Sequence, residues 1–137
     1  MTPPARDSTA VLRDLGAALR AAAPAGAARL RYRAVVVGDV RRDQLTAEPG
    51  TGEELPVPAA VRRAAEELKR AMWTPERGTW LQTEMVLDLA SGRLVPIFNA
   101  EAAPPGPPLP PGAVAAELRA YPRPPGAVPG WMGEPTG

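Results

Sequence analysis

Eleven of the nineteen prolines lie beyond residue 102, and the run Pro104-Pro105-Gly106-Pro107-Pro108-Leu109-Pro110-Pro111 cannot supply the backbone donors that helices and sheets need. That run is expected to be an extended connector of polyproline type, covering residues 103–112. A folded core then has to come from residues 1–102, an α+β domain, with residues 113–137 laid back on it as a C-terminal helix and tail. At 137 residues the whole chain has the length of one domain with a modest core.

Within residues 1–102 the apolar periodicity changes repeatedly between helical and strand-like. Asp7 or Ser8 can cap a helix whose Leu12, Leu15, Leu19 and Ala22 recur at three- and four-residue steps before Pro24 ends it. Residues 29–37 alternate, with Leu30, Tyr32, Ala34 and Val36 on one face and Arg29, Arg31 and Arg33 on the other. Gly38-Asp39 suits a two-residue hairpin turn, and residues 40–46 return antiparallel. Residues 47–57 read as a loop; its Pro49-Gly50-Thr51-Gly52 lacks the lysine of a phosphate-binding loop and is a flexible link.

A second helix over residues 58–72 gathers Val61, Ala64, Ala65, Leu68 and Met72 on one side. On the other side Arg62 with Glu66, and Glu66 with Arg70, lie one turn apart, each pair contributing roughly 0.2–0.5 kcal/mol. The segment 79–87 alternates Leu81, Thr83, Met85 and Leu87 against Trp80, Gln82, Glu84 and Val86, the first set facing the core. A turn at 88–92 leads to a second strand ending at Phe98-Asn99, where Pro96 implies an edge or a bulge. The expected fold is a single small α+β domain. Its antiparallel sheet has about four strands in helix–hairpin–helix–hairpin order, with helices on one face and a Pro-rich C-terminal tail.

The chain has no histidine and no cysteine. This removes disulfides, the two best zinc ligands, thiol nucleophiles and every imidazole acid or base, so neither metal nor cofactor is expected. Ser8 and Ser91 have no imidazole to activate them. The net charge is +1: residues 1–45 carry eight arginines against four aspartates, +4, which leaves −3 for the remainder. Neither half is the concentrated basic surface that phosphate contacts demand, so no nucleic acid is expected as partner. No apolar run is long enough to cross a bilayer, and Arg13, Asp14 and Arg20 interrupt the first candidate for a signal segment, so a soluble cytoplasmic protein is expected.

Three local strings carry a resemblance: Arg77-Gly78-Thr79-Trp80, then Phe98-Asn99-Ala100-Glu101-Ala102-Ala103-Pro104, then Tyr121-Pro122-Arg123 with Val128-Pro129-Gly130-Trp131. Together they are similar to the pattern of YezG-like immunity proteins, from about residue 65 to residue 132. Members of that family neutralise toxin domains used in competition between bacteria, several of them nucleases. The resemblance therefore implies a non-catalytic antitoxin whose partner is a cognate toxin domain. Where the family carries an acidic and aromatic stretch before a proline, this chain has Asn99 and Ala100, and Glu101 alone keeps a carboxylate.

The candidate partner-binding residues are Trp80, Gln82, Glu84, Asn99, Glu101, Arg123 and Trp131. Tryptophan supplies large flat contact area. Each also has a bland reading: Trp80 as a core plug, Trp131 as a seal for the tail, and Gln82 and Glu84 as a solvated sheet face. Arg123, held between Pro122 and Pro124, has little freedom to lose on pairing with a partner's carboxylate, and equally suits a tie to Glu84 or Glu101. Two alternatives to the antitoxin stand beside it: a structural or adaptor protein using the same face, and a hydrolase working through Glu84, Asp88 and Glu101.

Overall fold

In the computed structural model, which describes residues 7–48 and 53–133, helix α1 (Ser8–Ala22) starts where the Asp7 side chain accepts the Thr9 backbone N–H at 3.3 Å. It buries Val11, Leu15 and Leu19. Strand β1 (Arg29–Val37) turns through Gly38 and Asp39 into β2 (Val40–Glu48). The link read at residues 49–52 lies outside the described residues, as do 1–6 and 134–137. Beyond it come β3 (Glu53–Leu55), α2 (Ala59–Met72), β4 (Gln82–Asp88) and β5 (Leu94–Asn99). Helix α3 (Ala113–Ala120), a 3-10 turn at Pro125–Ala127 and the short α4 (Gly130–Gly133) follow the proline run.

The strands form one open antiparallel sheet in the order β3-β2-β1-β4-β5. Among the described residues it has five strands rather than the expected four or so. The additional one, β3, sits inside what reads as a loop: only three residues long, it pairs Leu55 with Leu45 and packs Leu55 at the rim of the core. So short a segment has no periodicity to detect.

Helices α1 and α2 cover the inner face of the sheet, where Leu30, Tyr32, Ala34 and Val36 meet Val11, Leu15, Val61, Ala65 and Leu68. The expectation of helices on one face alone needs correction. Val35 and Val37, on the outer face, are buried with Leu81 beneath α3 and Met132. The uninterrupted apolar run Ala34–Val37 at the end of β1 is the cause, because a strand apolar on both sides must be covered on both.

The charges of α2 also act differently from the sequence reading. Arg62 forks onto Asp43 of β2 at 2.9 and 3.1 Å, and Glu66 pairs with Arg41 of β2. The helix is thus clamped to the sheet at its exposed flank.

Two backbone positions set the limits of this architecture. Gly38, at φ 58°, lies so close to α3 that a Cβ there would stand 2.4 Å from the Ala113 carbonyl oxygen. Gly38→Ala should therefore cost roughly 1–3 kcal/mol through strain and displacement of α3, read as a lower midpoint in denaturant titration. At the free edge, the Asp88 N–H bonds to Arg93 O at 2.9 Å, and Pro96 lies opposite Met85. By the alternation of an antiparallel ladder, Leu94, Pro96 and Phe98 turn their backbone groups outward, so the missing N–H of Pro96 falls on the open side of β5.

Candidate functional site

Two polar residues that sequence reasoning passed over, Lys69 and Glu117, help to fasten the tail. Lys69, the only lysine in the chain, is 1% exposed, and its Nζ lies 2.8 Å from Oε2 of the equally buried Glu117. The ammonium donates to Val36 O at 3.0 Å and Trp80 O at 2.6 Å, and sits 5.4 Å from the Trp80 ring and 5.0 Å from that of Tyr121. Glu117 Oε1 accepts the Gly38 N–H at 2.9 Å. Burial pushes the Lys69 pKa below its ordinary value, and the Glu117 carboxylate works against that shift. A signal existed: Lys69 stands four residues after Ala65 and three before Met72, on the stripe that faces the core.

Further ties complete the attachment. Arg123 donates from Nη2 to Thr79 O at 2.9 Å and from Nη1 to Ala127 O at 3.2 Å. Its guanidinium lies over Gly78, where a Cβ would come within 2.5 Å of Nε. Desolvation lowers the Arg123 pKa. The indoles of Trp73 and Trp131 donate to Pro122 O at 3.0 Å and Glu101 O at 2.7 Å. Arg123 thus anchors on backbone carbonyls rather than on Glu84 or Glu101.

Trp80 does not share a face with Gln82 and Glu84. It is 2% exposed and packs in the inner core, its ring 6.0 Å from that of Phe98. The alternation that placed it outside breaks at Leu81, whose N–H bonds to Asn99 O at 2.8 Å although Gln82 already faces Asn99. Two residues against one is the signature of a bulge, and it reverses the sides of Trp80 and Leu81.

The remaining candidates come together at one end of the β4–β5 hairpin. Asn99 Nδ2 donates to Gln82 Oε1 at 3.2 Å, while Asn99 Oδ1 accepts the backbone N–H of Glu101 and of Ala102 at 3.2 and 2.9 Å. This Asx turn points Glu101 into solvent beside the half-buried Trp131. A cleft of about 460 Å³ opens there, with Glu76, Arg77, Glu101 and Arg123 in its walls.

Glu84 lies farther along the outer face, paired with Arg31 and, at 3.6 Å, with Arg33. Next to it runs the outer side of β5, carrying Val95 and Ile97, which are 47% and 67% exposed and face Val86 and Glu84 across the ladder. Among the described residues no helix covers this half of the sheet. The carboxylates of the hydrolase reading are not assembled: Asp88 sits at the hairpin turn, where its Oδ1 accepts the Ala90 N–H, and Glu101 lies beyond the opposite end.

Among the described residues no group of acidic side chains could hold a metal ion, and no helix is long and apolar enough to cross a membrane. Comparison with known proteins finds no family model that matches the chain and no curated protein significantly similar to it.

Proposed function

We propose that this protein is a non-catalytic immunity protein that binds a bacterial toxin domain in the cytoplasm and occludes its active site. The observation that carries this reading is the open outer half of the sheet, where Ile97 and Val95 project beside a ladder of arginine and glutamate and lead to Asn99, Glu101 and Trp131. An apolar centre with a charged surround is the anatomy of a protein interface. The three strings similar to immunity proteins support the same conclusion, since two of them, around Asn99 and Trp131, border this surface. Val95 and Ile97 replace Trp80 in the apolar role that it was first given together with Trp131.

The test is capture of the partner from the native cell with the tagged chain, followed by expression of the captured protein alone and together with this one. The antitoxin reading requires that the partner be toxic alone and neutralised at equal concentration. A harmless partner would establish the adaptor reading instead. Ile97→Arg should weaken the complex by about 2 kcal/mol, roughly thirtyfold, in a calorimetric titration. Being 67% exposed, the same site should change folding stability by no more than about 0.5 kcal/mol.

A further inference from the structure

A groove of about 410 Å³ runs between α1 and the β4–β5 hairpin, on the side of the molecule away from the open sheet face. Its size falls within the roughly 300–1,000 Å³ of small-ligand sites. Leu12, Ala17, Leu87 and Leu94 line it. Arg13 and Arg20, two helical turns apart, stand at its rim, and no carboxylate is among the described residues that line it. Arg20 is steadied by one bond, from Nη2 to Leu89 O at 3.2 Å.

Gly16 is the second observation. It weakens the interior of α1, yet packing does not require it, because a Cβ there would meet only Leu94 Cδ2, at an ordinary 3.6 Å. What glycine preserves is the depth of the groove: a longer side chain at this position would fill it.

We infer that this groove binds a free single-chain amphiphile with an anionic head, of the medium-chain carboxylate class. The chain lies over Gly16 between Leu12 and Leu94, and the head pairs with the Arg13 guanidinium at one end of the groove, while Arg20, bonded to Leu89 O, adds positive charge at the other. Apolar walls hold the tail without selecting its length sharply, whereas the arginines select the sign of the head charge.

Calorimetric titration with dodecanoate below its micellar concentration tests this, with dodecyltrimethylammonium as the opposite-charge control. Saturable one-to-one binding is expected, with the cationic amphiphile weaker by about tenfold or more. Gly16→Leu should lose binding by a similar factor while keeping the helical circular dichroism, since leucine favours helix over glycine. Arg13→Glu combined with Arg20→Glu should erase the preference for the anionic head. Non-saturating heats, equal binding of both amphiphiles, or unchanged affinity in Gly16→Leu would each overturn the assignment. So would uptake onto anionic lipid vesicles without any binding of free dodecanoate.

Discussion

Glu117→Ala is expected to lower the folding stability by roughly 3–5 kcal/mol, the usual consequence of stranding one member of a buried ion pair. Lys69 would then keep its place under α3 with an uncompensated charge, and Gly38 would lose the acceptor for its N–H. Urea titration measures the loss, and trypsin cleavage at the exposed Arg119 reports release of α3. The double change Lys69→Met with Glu117→Leu should recover most of the stability, because removing both charges removes the desolvation cost along with the attraction.

The same pair has a pH signature of defined sign. The folded-state pKa of Lys69 is lowered from 10.5 by burial, so between that lowered value and 10.5 the unfolded chain holds more protons than the folded one, and stability contributed here rises with pH. Removing Glu117 removes influences that raise the pKa, which extends the window downward. Glu117→Ala should accordingly regain more stability than the wild type as the pH rises towards 10.5.

Trp80→Ala should cost a comparable 3–5 kcal/mol by leaving a cavity between α2 and the β4–β5 hairpin. The ring packs against Phe98 and lies under the Lys69 ammonium, so the loss is both apolar and electrostatic. Trp80→Phe should be far milder, about 1–2 kcal/mol. The buried Nε1 of Trp80 finds no acceptor among the described residues, and phenylalanine removes that unmatched donor as it shrinks the ring. Thermal unfolding of the two variants separates them, and equal destabilisation would contradict the core role assigned to this indole.

The elements with strong periodic patterns were readable from the chain. The stripe of α1, the apolar side of α2, the turn at Gly38 and the division of β1 into an apolar and an arginine face each follow from residue order alone. What failed was decided by neighbours distant in sequence. Trp80 was assigned by a period of two, but the bulge opposite Asn99 interrupts that period at the very next residue, Leu81. Lys69 drew no reading at all, since its partner Glu117 lies forty-eight residues downstream, past the proline run. Of the candidate site, Gln82 and Glu84 were placed from strand alternation, whereas Asn99 and Glu101 were singled out through the resemblance of residues 98–104. The prominence of Ile97 and Val95 depends instead on which half of the outer face α3 leaves bare.

Pro96 carries an implication for how this molecule behaves in quantity. A bare sheet face next to an unprotected final strand would invite neighbouring copies to add themselves strand by strand and grow into fibres. One ring in place of one hydrogen interrupts the template at its midpoint, so concentrated solutions should stay clear and unpolymerised while the apolar residues flanking that ring remain available to a different protein.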